Sequence, residues 1–331
     1  MLDARTDHFS LTKYPCSLTC VSFVAIVAQL VRAPACGAGG RRFESGLSPH
    51  FLPWLILFLI ILPICTRAED PKVVEFLNLS YGKHERQVLD IVSSKSCRSG
   101  PVIVFFHGGS WRWGQKDYHR EIGKQFARKG IVFVTANYRL YPEVKFPAFP
   151  EDVALATAWV RKKVHAFGGN KENIFLMGHS AGAHAACLVG LDPVYLKAQG
   201  GRLGWIRGVI SMSAPYEFDP SKEFLYRDLF PPTLDRNSTM PAFQVGRNKV
   251  PPFLLMHGRF DPLIKYELCE KFSQALEESG SAVESKIYAS HGHFSLIRRT
   301  SSWHIWPKPL LGDVVDFVER FRIPREPGSS E

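Results

Sequence analysis

From Val73 onward, short β-branched and aromatic runs alternate with longer stretches in which apolar residues recur at helical spacing. The runs at 74–80, 86–92, 102–106, 132–137, 174–177, 208–212, 253–257 and 284–288 predict strands. Several are apolar without interruption, the pattern of strands covered on both faces in a parallel sheet. Helices are predicted over 118–129, 152–166, 181–189, 265–280 and 313–320. The second of these carries Val153, Leu155, Ala156, Trp159, Val160 and Val164 on one broad apolar face. Regular alternation of the two patterns predicts an α/β fold: a mostly parallel, doubly wound sheet with helices on both faces, opened by two antiparallel-looking strands. Residues 214–250, rich in Pro, Phe and Tyr, follow neither period and read as a small cap-like insertion.

The first seventy residues follow a different pattern. Residues 51–64 are apolar and uncharged, and Cys65-Thr66-Arg67-Ala68 follows them. A spanning helix needs about 20 such residues, so no stable transmembrane span is expected. The run fits the core of a signal peptide, with Thr66 and Ala68 as the small residues of a cleavage site, and implies a secreted, periplasmic or lumenal protein. A membrane-anchored or cytoplasmic protein is the alternative. Fifty residues precede the run, more than a signal peptide carries. Within them, 27–34 and 39–46 resemble the peptide obtained when a transfer-RNA gene is conceptually translated. On that reading 1–46 is a gene-model artefact and 47–68 the signal; the rival is a genuine disordered leader or a second short apolar segment at 21–31. Either way, 1–68 is a leader and 69–331 one catalytic domain, within the size range of single α/β domains.

Composition narrows the function classes. Hydrophobic residues make up 45% and charged residues 22% of the chain, which suits a globular domain with a sizeable core. The formal charge of +10 comes from 41 basic against 31 acidic residues. The basic residues fall in scattered pairs such as Arg41-Arg42, Lys162-Lys163 and Arg298-Arg299, not in a stripe interleaved with aromatics, so no nucleic-acid partner is expected. Of seven cysteines only Cys97, Cys187 and Cys269 fall within the domain. Their wide spacing provides neither a disulfide framework nor a metal pair, and free, buried thiols are expected. No metal or organic cofactor is implied.

Gly178-His179-Ser180-Ala181-Gly182 matches the G-x-S-x-G nucleophile elbow, a strained strand-to-helix turn that exposes a serine. The pentapeptide alone is a weak signal. Its context strengthens it, since Asn173-Ile174-Phe175-Leu176-Met177 reads as a buried strand before it and the small residues from Ala181 as a helix after it. His107-Gly108-Gly109-Ser110-Trp111 follows another strand; there the N–H groups of Gly108 and Gly109, with that of Ala181, can face a developing oxyanion. An ordinary Gly-Gly turn is the plain alternative. Trp111 and His179 are candidates for the substrate pocket, although packing explains each as well.

In this fold the acid and base follow the serine in that order. Asp261, in His257-Gly258-Arg259-Phe260-Asp261-Pro262, is the candidate acid, and its rival role is that of a helix N-cap before proline. His293, in His291-Gly292-His293-Phe294, is the candidate base, with His291 as competitor.

Together with Asn137-Tyr138-Arg139-Leu140-Tyr141-Pro142-Glu143, Phe146-Pro147-Ala148 and Glu151-Asp152, these motifs resemble the α/β-hydrolase-3 esterases over residues 73–322. The similar branches are feruloyl-esterase-like carboxylesterases, prenylcysteine methylesterases and kynurenine formamidases. The resemblance implies a serine hydrolase acting on a small-molecule ester, with Ser180, Asp261 and His293 as its triad. It leaves ester and formamide substrates unseparated. A peptidase of related fold normally needs a further gating domain, and a non-catalytic module would be expected to have lost part of the triad.

Overall fold

The structure, a computed structural model, describes residues 72–298 and 308–324. The leader 1–68, with its apolar run and its four cysteines, lies outside the described residues.

Eight strands form one sheet: β1 (Val73–Ser80), β2 (Val88–Ser94), β3 (Gly100–Phe106), β4 (Val132–Ala136), β5 (Gly169–His179), β6 (Ile206–Met212), β7 (Phe253–Gly258) and β8 (Val283–Tyr288). Their order across the sheet is β1-β2-β4-β3-β5-β6-β7-β8. β1 and β4 both pair antiparallel with β2, and every later pairing is parallel. Five helices of eight residues or more accompany them among the described residues: α1 (Arg120–Arg128), α2 (Ala148–Lys163), α3 (Ala181–Leu191), α4 (Tyr266–Glu278) and α5 (Lys308–Phe321).

The two-residue period of the strands divides the interior into two cores. Val102, Val104 and Phe106 of β3, with Ile174 and Leu176 of β5, meet apolar residues of α2, α3 and α4. Ile103, Phe105, Phe175 and Met177 point the other way, against Ile122 and Phe126 of α1 and Val314 and Phe317 of α5. Both faces of the central strands are therefore covered, which is why their sequences run apolar without alternation.

The structure moves some expected boundaries. α2 starts at Ala148, four residues before Asp152, because its first turn tolerates Pro150, whose missing N–H would have no partner there. Asp152 thus lies inside the helix, buried, with its carboxylate taking the backbone N–H and guanidinium of Arg139. β5 starts at Gly169, which pairs with Gly100 before a register shift brings Ile174 opposite Val102. Residues 214–250 contain only three single-turn helices, Pro220–Lys222, Arg236–Thr239 and Pro241–Gln244.

From β3 the chain goes outward to β4 and then returns to β5 on the other side of β3. A crevice opens at the carboxyl ends of strands where the winding direction reverses in this way.

Candidate active site

Ser180 stands between β5 and α3 with φ 52° and ψ −120°, a conformation that costs a non-glycine residue energy and persists only where its surroundings impose it. Its N–H is held by the Met212 carbonyl at 2.8 Å, and its own carbonyl accepts from the His184 N–H at 3.0 Å. The two glycines of the motif are explained by contact. A Cβ on Gly182 would lie 2.2 Å from the Phe106 carbonyl oxygen, and one on Gly178 would lie 2.5 Å from the Ala183 nitrogen. Any side chain at either position would push α3 off the strands that carry it.

The loop after β3 lies against this turn. A Cβ on Gly108 would come within 2.7 Å of His179 Nδ1 and 3.1 Å of Ser180 Cβ, so glycine lets this backbone approach the serine. Gly109 (φ 126°), Ser110 (φ 53°) and Trp111 (φ 55°) follow in the left-handed region, and the Gly109 carbonyl accepts from the N–H groups of Arg112 and Trp113. Ala181 opens α3, and the first N–H groups of a helix have no partner inside it.

The candidate acid is set by the loop beyond β7. One oxygen of the buried Asp261 carboxylate accepts the Leu263 and Ile264 N–H groups, both at 2.9 Å. The other accepts His293 Nδ1–H at 2.8 Å. The cap geometry and the bond to the candidate base thus coexist on one carboxylate. A third side chain, His257 at the end of β7, brings Nε2 to 3.3 Å from that second oxygen and 2.9 Å from the Ile264 carbonyl. Burial raises the pKa of Asp261, but the bonds from His257, His293 and the Ile264 N–H outweigh it and hold the carboxyl well below its usual range. The same contest on His257, with burial opposing the bonds to Asp261, the Cys269 thiol and the Ile264 carbonyl, leaves its ring raised to about 9. His291 engages Ser290 Oγ through Nδ1 at 3.2 Å and sets its ring against Tyr288.

His179 supports the candidate base from the other side. Its Nε2–H donates to the His293 carbonyl at 2.9 Å, with the two rings 4.8 Å apart. Burial, reinforced by His293, pushes His179 down to about 3, so it is neutral and acts as a fixed donor. Trp111 is 2% exposed and packs among Phe149, His184, Phe218, Tyr226 and Phe230. It also borders the cavity.

Ser180, His293, Gly108, Gly109, Ala181, His179 and Trp111 all line one cavity of about 710 Å³. Phe218, Leu225 and Tyr226 of the insertion form part of its wall. Tyr226 meets Ser110 Oγ at 3.3 Å, and Arg112 donates to the Leu225 carbonyl, so the insertion is tied to the loop after β3. His184 of α3 ties it again at the Thr239 carbonyl, 2.9 Å away. Five large hydrophobic side chains that border the cavity are at least half exposed: Trp113, Tyr118, Leu225, Leu263 and Phe294. The mouth is therefore apolar, although charged Glu217, Glu223 and Lys265 interrupt it. From sequence His257 reads as a positioning or packing residue beside the motifs, and no motif marks its contact with Asp261. His119, buried in the cavity wall against Phe105, follows no motif either. Among the described residues, no group of three or more His, Cys, Asp or Glu side chains is arranged to hold a metal ion.

Comparison with known proteins places this geometry. The BD-FAE family model matches residues 89–199, which contain the glycine loop and the serine turn. The prolyl oligopeptidase family model matches 150–306, which contain the serine, Asp261 and His293. An isoprenylcysteine alpha-carbonyl methylesterase of Arabidopsis thaliana is 28% identical over 66% of this chain and 56% of its own. Esterase LipC of Mycobacterium tuberculosis is 30% identical over 65% of this chain and 58% of its own. The chain thus spans little more than half the length of these curated relatives. Among solved structures, an inhibited form of esterase B from Lactobacillus rhamnosis matches with TM-score 0.65 at 19% identity, over 84% of this chain and 97% of its own. An esterase of Thermogutta terrifontis matches at 0.62 and 22% identity, over 76% of this chain and 93% of its own. The chain has the α/β-hydrolase fold.

Proposed function

We propose that this chain is a serine hydrolase that cleaves carboxylic esters of small molecules. The observation that carries the reading is one carboxylate, Asp261, holding Nδ1 of a histidine that lines the same cavity as a serine on a strained elbow. With Nδ1 occupied, His293 keeps Nε2 for proton transfer, as a base oriented by an acid requires. Ser180 Oγ attacks the ester carbonyl carbon while His293 takes its proton. The negative charge that forms on the carbonyl oxygen is met by the N–H groups of Gly108, Gly109 and Ala181, each such donor being worth about 3 kcal/mol in the transition state. As the tetrahedral species collapses, His293 returns its proton to the departing alcohol, leaving the acyl group on Ser180. Water, deprotonated by His293, then attacks the acyl carbon, and the acid leaves as Ser180 recovers its proton. Nothing in this sequence of steps needs a metal or organic cofactor.

The apolar wall and the exposed aromatic rim favour esters with a bulky apolar part, which makes a prenylcysteine methyl ester the second reading. The deciding experiment assays aryl esters of graded acyl length, feruloyl esters, prenylcysteine methyl esters, N-formylkynurenine and a proline-containing peptide side by side. Turnover of the esters, lost by about a millionfold in Ser180→Ala, is the expected result. Full activity in Ser180→Ala overturns the reading, and selective turnover of the formamide or the peptide reassigns the substrate class.

A further inference from the structure

The Asp261 carboxylate is held by more donors than orientation of His293 requires. Its first oxygen is fixed by two backbone N–H groups, both at 2.9 Å, which belong to the turn that follows it. Its second oxygen receives the base at 2.8 Å and, from the end of β7, His257 Nε2 at 3.3 Å. The His257 side chain has no solvent exposure. Both acceptors within its reach, the Ile264 carbonyl and Asp261, require a proton on Nε2. The groups facing the ring are Asp261, the Cys269 thiol on α4 and, near the acid, His179 and His293.

We propose that His257 is a positioning residue for the acid: by donating to the carboxylate oxygen that also receives His293, it fixes that oxygen and sets the basicity of the base. A second donor on one carboxylate oxygen draws off part of the charge that would otherwise stabilise the imidazolium of His293. The base is thereby held where it can release its proton to the departing alcohol as readily as it took one from Ser180. Without His257 the same carboxylate would hold the imidazolium more tightly, so His293 would stay protonated to higher pH.

Two variants of the full chain separate this role from simple filling of the strand end. His257→Gln places an amide N–H near the position of Nε2, whereas His257→Asn is too short to reach Asp261. The acid limb of the kcat/KM pH profile is expected to move less in His257→Gln than in His257→Asn, because the amide keeps the donor although not the charge of the ring. In His257→Asn the limb is expected to rise by roughly half a pH unit or more, with kcat lowered about tenfold and KM little changed. His257→Met, which fills the volume without a donor, replaces the Asn variant if thermal melts show that variant unfolded; the same upward shift is expected. A limb that moves in neither variant, equally in both, or downward overturns the proposal. The inference rests on the serine-hydrolase reading, and Ser180→Ala keeps the two apart. Activity in Ser180→Ala sinks that reading, whereas an inactive Ser180→Ala with an unmoved limb in His257→Asn sinks only the role of His257.

Discussion

At the scale of residues, the space around Ser180 is set by atoms that are absent. Gly178, Gly182 and Gly108 each stand where a Cβ would strike backbone or ring atoms at 2.7 Å or less. Gly108→Ala therefore has a definite expectation: the new methyl presses on His179 and on Ser180 Cβ and displaces the donor loop. We expect kcat to fall about a hundredfold, comparable to losing one oxyanion donor, while a thermal melt stays within a few degrees of the wild type. Wild-type kinetics in this variant would mean that the loop does not address the reacting carbonyl. The sequence made this chemistry legible because glycine and serine at fixed spacing leave few other readings. It marked His257 only as a positioning or packing residue, since its contact with Asp261 depends on the direction of one side chain at a strand end, and it did not reveal His179 as the residue that carries the backbone of His293.

At the scale of elements, a buried ionic cluster joins β1, β2 and the turn before α1. Asp90, fully buried on β2, accepts Lys116 Nζ at 2.8 Å on one oxygen and Arg120 Nε at 2.8 Å on the other. Lys116 also reaches Asn78 Oδ1 at 2.7 Å, where β1 is irregular and Asn78 turns to φ 56°. No local pattern in Gly114-Gln115-Lys116-Asp117 marks the lysine as buried, because the strand carboxylate that meets it comes from β2. Asp90→Asn leaves the buried ammonium the Asn78 amide oxygen at 2.7 Å and, as its carboxylate, Asp117 Oδ2 at 3.6 Å. The expected cost is about 3–5 kcal/mol, a drop in Tm of roughly 10 °C by calorimetry. Because Tyr118 and His119 continue the same turn into the cavity wall, KM should rise as well. A variant as stable as the wild type would show that the cluster contributes nothing net. The alternation of strands and helices was legible for the same reason that the cluster was not, because period is local and ion pairing is not.

At the scale of the whole domain, two cores on one sheet enclose several neutral histidines. Burial is the main cause that lowers His107 to about 4, His179 and His184 to about 3, and His119 well below its ordinary value. Their folded pKa values lie below the unfolded value of about 6.5, so the unfolded chain takes up protons first as the pH falls. The stability these groups contribute is complete above pH 6.5 and is lost from there down toward their folded values. Each costs about 1.4 kcal/mol per pH unit in that window, so denaturant midpoints should fall steeply between pH 6.5 and 4.5. A flat profile over that range would contradict the burial of these rings. The overall architecture was legible from the apolar runs and residues 214–250 read as a cap-like insertion, but which of its side chains wall the cavity was not. That segment is held by contacts from Ser110, Arg112 and His184, with no period of its own to read.

Cys97, Cys187 and Cys269 are all unpaired and buried, and they occupy three different neighbourhoods. Cys187 lies on the helix that Ser180 opens, Cys269 beside the His257 ring, and Cys97 where the Gly130 and Gly168 carbonyls meet at the amino end of β3. A thiol reagent can reach each of them only when its own surroundings come apart. The domain thus carries three internal gauges of breathing, one at the elbow, one behind the acid and one at the far end of the sheet. The rate at which each cysteine-containing peptide gains a label reports which part of the molecule opens first.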